Sequence, residues 1–428
     1  MTSTHSSTTP TLALEWRHFW YLPLLAALGY ATSTLYVYSF GPFIAPIEAE
    51  FGWSRAQISL AVTITSGFAG LTSIPVGILI DRIGPRKVGV IGIGAVCCAI
   101  ALLGTATGTE LNWYGLWSLM ALSTMLIQAM VWTGAVNSRF VASRGLALAV
   151  TLSGAAFAAA LFPLIATWLI ENYGWRKAYH FMGLGWGALV FPLLALFFRG
   201  AQDKQRDPEQ AARDEQAKQA LVGLTLQQGL RSPALYQLVL ACGFFSFTMI
   251  GMVVHFIPIL TGGGATKLAA AGAAGLIGIF SAIGRLGCGF LIDRLPAYNV
   301  GGIIFLLPLI SCSILLFGDG SDLQNSIAAM TFGLTLGAEV DVVAYLAARY
   351  FGMKNFGALY GAMTSALCLG TAFGPLAAGA FYDTTGNYTG FIWTVAILCA
   401  ISSLLVFALR STPTAEQYLA GQAAPSLT

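Results

Sequence analysis

Long apolar runs recur along the chain, each about the length of a membrane crossing and each followed by a short polar break. A spanning helix needs about 20 mostly apolar residues, and on that rule the sequence predicts twelve spans. The first six lie at roughly 19–46, 56–80, 87–108, 112–137, 145–170 and 178–198. The second six lie at roughly 233–260, 268–292, 299–318, 324–348, 356–382 and 390–410. One long polar stretch, 199–232, separates the two sets and contains AQDKQRDPEQAARDEQAKQ, rich in helix formers. The expected organisation is a disordered N-terminal tail (1–18), a six-helix bundle (19–198), a cytoplasmic linker (199–232), a second bundle (233–410) and a C-terminal tail (411–428). The opening MTSTHSSTTPT has no basic region leading into a short apolar core, so it does not read as a secretory signal peptide.

Composition agrees with a chain that lives in lipid. Of 428 residues 57% are hydrophobic and 9% charged, against about 45–50% and about 25% in soluble domains. The net charge of +3 is too small for a nucleic-acid surface. The seven cysteines (97, 98, 242, 288, 312, 368, 399) sit in apolar runs without CxxC spacing, so neither a disulfide scaffold nor a metal site is expected. With both termini on one side, 16 of the 21 Lys and Arg residues fall on that side, 4 on the other, and Arg285 lies within a span. Basic residues favour the cytoplasmic side, so a multi-pass protein of the cell (inner) membrane with both termini cytoplasmic is expected.

The two sets of spans resemble each other. Gly77-Ile-Leu-Ile-Asp81-Arg82 recurs as Gly289-Phe-Leu-Ile-Asp293-Arg294, Pro163-Leu164 as Pro375-Leu376, and Gly174 as Gly386, all displaced by 212. Arg139-Phe140 recurs as Arg349-Tyr350, displaced by 210. The fold class is therefore all-α integral membrane, with twelve transmembrane helices in two six-helix, pseudo-symmetric bundles. In transporters built this way the substrate site lies near mid-membrane between rocking repeats.

Gly77-x-x-x-Asp81-Arg82-x-Gly84-x-Arg86-Lys87 resembles the loop signature of the major facilitator superfamily. Gly84 suits a tight turn and Asp81 can meet a helix N-terminus and basic neighbours. The resemblance implies a latch for one gate state, made of Gly77, Asp81, Arg82, Gly84 and Arg86, with Asp293 and Arg294 as repeat equivalents. Phe40-Gly41-Pro42-Phe43 … Glu50-Phe51-Gly52-Trp53-Ser54-Arg55, Arg144-Gly145-Leu146-Ala147-Leu148-Ala149 and Gly174-Trp175-Arg176 resemble, more narrowly, the monocarboxylate transporter and oxalate–formate antiporter group. Arg349-Tyr350-Phe351-Gly352 and Tyr382-Asp383-x-x-Gly386 extend that match into the second half.

Charges inside a span are expensive and mark function by default. Arg285 precedes Asp293 by eight residues and Asp341 precedes Arg349 by eight, about 12 Å of helix rise. Glu339 precedes Arg349 by ten, about 15 Å, so all three sit near mid-membrane. A lone guanidinium there needs a carboxylate partner and can also hold a substrate carboxylate bidentately. The resemblance implies the latter role for Arg285. Two departures stand out: Ser281 occupies the position, one turn before this arginine, where animal members have an acidic residue, and no Lys occurs between 19 and 46. Glu339 or Asp341 is therefore expected to supply the counter-charge and take the proton. They lie about 200° apart around a helix, so only one faces a given cavity. The resemblance also implies a substrate or proton role for His255, and Tyr36, Gln128, Trp132 and Tyr345 are candidate wall residues.

The leading expectation is a secondary transporter of small organic (mono)carboxylates by proton symport, working as a monomer in membrane lipid without cofactor. Proton coupling offsets the membrane potential, which opposes anion entry by about 2.3 kcal/mol per charge per 100 mV. Alternatives are an oxalate–formate type exchanger, which the absence of Lys and Arg between 356 and 382 disfavours, a carrier or exporter of a bulkier aromatic acid, peptide or drug, and a non-transporting sensor. Drug–proton antiporters carry a Gly-Pro signature in the fifth span, where Leu161-Phe162-Pro163 stands here. An ATP-driven pump fails because the chain has no GxxxxGK[ST] loop, and an enzyme fails for want of a metal or nucleophile cluster.

Overall fold

The computed structural model describes residues 12–140, 142–199 and 222–423, with the side chains of 12–14, 70–71, 73–75, 77–78, 81 and 420–423 outside that description. Among the described residues the chain is helical, with one isolated bridge, Gly223 to Gly352. A short helix α1 (Leu12–Phe19) precedes the first half, which contains α2 (Tyr21–Tyr38), α3 (Gly41–Phe51), α4 (Arg55–Ile83), α5 (Pro85–Leu103), α6 (Glu110–Thr124), α7 (Ala129–Asn137), α8 (Arg144–Tyr173), α9 (Trp175–His180) and α10 (Trp186–Phe197). After α11 (Leu226–Arg231), the second half contains α12 (Pro233–Gly262), α13 (Lys267–Ile292), α14 (Ala297–Leu306), α15 (Pro308–Phe317), α16 (Asp322–Phe351), α17 (Phe356–Thr385) and α18 (Thr389–Ala408). A final helix, α19, covers Ala415–Ala423.

Ten helices are long and apolar enough to cross a membrane among the described residues. The first and second expected spans are occupied by α2–α3 and by the 29-residue α4. Large apolar side chains such as Leu111, Leu286, Phe317 and Leu404 point outward and are exposed, as a lipid-facing surface requires.

The repeat read from the sequence is present helix by helix. Starts at Tyr21 and Pro233, Arg55 and Lys267, Pro85 and Ala297, Glu110 and Asp322, and Arg144 and Phe356 are each 212 apart. The caps follow the same shift: the Ser54 hydroxyl accepts from Gln57 N at 3.2 Å, and the Thr266 hydroxyl from Ala269 N at 3.2 Å. Loop bonds do too, with Thr107 N donating to Asn112 Oδ1 and Asp319 N to Gln324 Oε1, both at 2.9 Å. Each half has its own apolar core, and the halves meet through α4 against α17 and α8 against α13.

Several expected spans are interrupted. The first breaks at Ser39–Phe40, ahead of Gly41-Pro42, where proline lacks the donor that would continue the ladder. The fourth breaks after a 3₁₀ turn at Met125–Ile127, with Gln128 extended (ψ 158°). The orphaned Ile127 carbonyl is satisfied by Trp132 Nε1 at 2.9 Å and by the Ser33 hydroxyl.

The tail expected to be disordered through residue 18 is helical from Leu12. The Glu15 carboxylate accepts from Ala142 N (2.8 Å), Ser143 N (2.9 Å) and Ser143 Oγ (2.7 Å), pinning α1 to the start of α8. Most of the expected linker lies outside the described residues. Its end is fixed, with Leu224 N donating to Phe351 O at 2.8 Å and Met353 N to Val222 O at 2.9 Å. We call this side of the bundle the linker end and the side bearing Trp53–Ser54 and Gly386–Tyr388 the far end.

Candidate functional site

Arg285 stands where α13 and α16 approach at backbone contact. A Cβ at Gly333 would lie 2.5 Å from the Ile277 carbonyl oxygen, and one at Gly284 or Gly337 would collide with the backbone of Leu334 or Ser281. Only glycine permits this spacing, and the spacing brings Arg285 Nε to 3.3 Å from the Gly337 carbonyl and 3.5 Å from Asp341 Oδ2. The side chains of Arg285 and Asp341 are 20% and 35% exposed. Nη1 and Nη2 of Arg285 make no hydrogen bond among the described residues, so the fork is open to a second carboxylate.

The two acidic candidates are thereby separated. Asp341 pairs with Arg285, whereas Glu339 is turned into the core and only 5% exposed. Its electrostatic neighbours include Cys242 on α12 and Cys399 on α18, and its Oε1 has no hydrogen-bond partner among the described residues. Tyr30 on α2 lies within electrostatic reach of both Arg285 and Asp341, and Tyr360 on α17 within reach of Asp341. Helices of both halves thus contribute to the surroundings of the pair.

His255 is in a different place. It is fully buried and makes three hydrogen bonds: Nδ1 to Tyr388 Oη (2.8 Å), Nε2 to the Pro375 carbonyl (3.0 Å) and Nε2 to Ser59 Oγ (3.1 Å). Ser59 belongs to the first half, so the imidazole bridges the two bundles toward the far end.

Comparison with known proteins decides the family. The sequence profile described as Major Facilitator Superfamily matches residues 26–366. The chain belongs to the major facilitator superfamily. It is a multi-pass membrane transporter, and its family is not one of enzymes. The chain is 26% identical over 378 residues to the Uncharacterized MFS-type transporter YcxA of Bacillus subtilis, covering 86% of this chain and 89% of that protein. It is 25% identical over 399 residues to Monocarboxylate transporter 13 of Bos taurus, covering 88% and 87%. To the Oxalate:formate antiporter of Oxalobacter formigenes it is 24% identical over 414 residues, covering 92% and 90%.

The remaining candidates of this superfamily member fall in three places. Tyr36 packs edge-on against Trp117, ring centroids 6.2 Å apart, and lies within electrostatic reach of Cys368 across the interface. Gln128 donates from Nε2 to the Ala69 carbonyl of α4 at 3.2 Å. Trp132 is fully buried in the first half, against Gly29 and Phe198, so the structure makes it a core residue and does not bring it to Arg285. Tyr345 is exposed at a crevice of the linker end beside Arg349 and Gly352.

Of the expected latch residues, Gly84 joins α4 to α5 with φ +87°, a conformation that glycine alone adopts without strain. Arg86 Nη2 donates to the Ala195 carbonyl at 2.7 Å, within its own half. Gly77 and Asp81 lie outside the described side chains, and Arg82 and Asp293 are exposed. Arg294, in the turn after α13, stacks on Phe290 of that helix, 3.8 Å from the ring centroid. Sequence reasoning missed Arg55, Ser59, Tyr388 and Gly337 as functional candidates. A charged residue opening the second span was the available signal for Arg55.

Proposed function

We propose that the protein is a proton-coupled transporter of small organic monocarboxylates, using alternating access with both termini cytoplasmic. The observation that carries this reading is Arg285: a partly exposed guanidinium inside the bundle, held through Nε by Gly337 and Asp341, with both terminal nitrogens open. That geometry suits bidentate capture of one carboxylate. Asp341 balances the arginine when the site is empty. When substrate arrives, its carboxylate takes over the pairing and Asp341 takes a proton, so the loaded site stays neutral as it crosses. Tyr30 and Tyr360 contribute aromatic wall from the two halves, and the related monocarboxylate transporter supports the substrate class.

The test is uptake of radiolabelled lactate, formate and oxalate by purified protein in proteoliposomes. An inward proton gradient is expected to drive concentrative lactate uptake that Arg285→Ala abolishes. Uptake indifferent to the gradient, or unaffected by Arg285→Ala, refutes the reading. The similarity to an oxalate:formate antiporter over 92% of the chain favours a second reading, exchange of one anion for another. Exchange would show as uptake that requires an anion inside the vesicle and ignores pH.

A further inference from the structure

We propose that Arg55, Ser59, His255 and Tyr388 are the far-end gate of the transporter, a hydrogen-bonded chain whose making and breaking positions the two halves during transport. Five hydrogen bonds join the halves among the described residues, and all start from one stretch of α4. Arg55 N and Ala56 N donate to the Asp383 carboxylate (2.9 and 2.8 Å), Arg55 Nη1 to Tyr388 Oη (2.8 Å) and Thr63 Oγ1 to the Ala372 carbonyl (2.6 Å), while Ser59 Oγ pairs with His255 Nε2 (3.1 Å). Each acceptor or partner lies on α12, on the far half of α17 or in the loop after it. The structure is therefore closed at the far end.

The direction of the chain follows from what each atom can do. The Pro375 carbonyl only accepts, so His255 Nε2 carries the hydrogen and, in the neutral imidazole, Nδ1 is bare. The Tyr388 hydroxyl must then donate to Nδ1, which leaves its oxygen to accept from Arg55. Charge enters the chain at Arg55, and the chain is complete from Arg55 through Tyr388 and His255 to Ser59 only when the halves are together. Arg55 is aimed by its own half through Nε to Glu48 Oε2 at 3.0 Å, and its guanidinium carbon lies over the Tyr382 ring of the other, 3.5 Å from the centroid. Gly379 makes the approach possible, because a Cβ there would lie 2.6 Å from Ala56 N. Separating the halves at this end strands the Asp383 carboxylate and the α4 N-terminus it caps, and takes Tyr388 from Arg55 and His255 from Ser59 at once. Such a group has two states and little between them.

The inference rests on the alternating-access reading, and its test needs no substrate. Spin labels are placed at Asn172 and Asn387, exposed on opposite halves at the far end, and at Lys87 and Lys354, exposed on opposite halves at the linker end. Native cysteines are replaced, the full chain is held in lipid nanodiscs, and distances are read by double electron–electron resonance. The parent is expected to show a short far-end and a long linker-end distance. Tyr388→Phe keeps the ring and removes the hydroxyl, and it is expected to raise the far-end-open population about tenfold, with the linker-end distance shortening in step. Ser59→Ala should shift both pairs the same way by less. Unchanged distances in Tyr388→Phe overturn the proposal, as does far-end widening without linker-end closure, which is local loosening. Missing lactate uptake with both shifts intact would instead overturn the substrate reading and leave the gate standing.

Discussion

Asp341→Asn separates the counter-charge role from the binding role. The Arg285–Asp341 pair is 3.5 Å apart, and two unit charges at that distance attract by about 5 kcal/mol at an effective dielectric constant of about 20. A third of the Asp341 side chain meets solvent, so screening brings the net value down to about 1–2 kcal/mol. A substrate carboxylate must displace this partner. Asparagine removes the competition without changing the shape of the side chain, so lactate affinity at neutral pH should rise by about five- to thirtyfold. The empty carrier then carries an unbalanced arginine, and its return across the membrane is opposed. The expected outcome is a lower KM, loss of gradient-driven accumulation, and retained exchange when lactate is present on both sides. Proteoliposome counterflow and net uptake, measured over a range of external pH, read all three. Proton-driven accumulation that survives in Asp341→Asn, or an affinity that falls, refutes the assignment of Asp341 as counter-charge.

Three further outcomes test the rest. Glu339→Gln should keep proton-dependent uptake and melt no lower than the parent, because an amide in that buried site leaves no charge to desolvate; lost coupling here would move the proton to Glu339. Gly337→Ala should abolish uptake and lower stability by about 1–3 kcal/mol, since the new methyl drives α13 and α16 apart and with them Arg285 and Asp341. Trp132→Phe should lower the melting temperature through a loss of about 1 kcal/mol, by removing one of the two donors to the Ile127 carbonyl at the helix break, and should leave lactate KM unchanged.

Much of the architecture could be read from the chain alone. Apolar runs of membrane length locate the spans, because lipid admits a backbone only when its polar groups are paired within the segment. The 212-residue displacement found in three short motifs extends to helix starts and caps, since each repeat folds under the same local constraints. The axial distance of Arg285 from Asp293, and of Asp341 from Arg349, follows from helix rise alone. Periodicity also says that Glu339 and Asp341 face opposite ways, but it cannot say which way faces the arginine. That choice belongs to Gly284, Gly333 and Gly337, whose backbone contacts set how α13 and α16 are rotated against each other. The same limit explains His255 and Trp132. One looked like a site residue and bonds partners 120, 133 and 196 positions away; the other looked like a wall and fills a core.

What the sequence determined by itself was the length and repetition of the apolar segments and the spacing of their few charges along them, all of which depend on the chain's own order and on helix geometry. What only the tertiary structure decided was which charged and polar groups meet. Those meetings are set by helix rotation and by the state of the two halves, and both arise from packing between residues far apart in the chain.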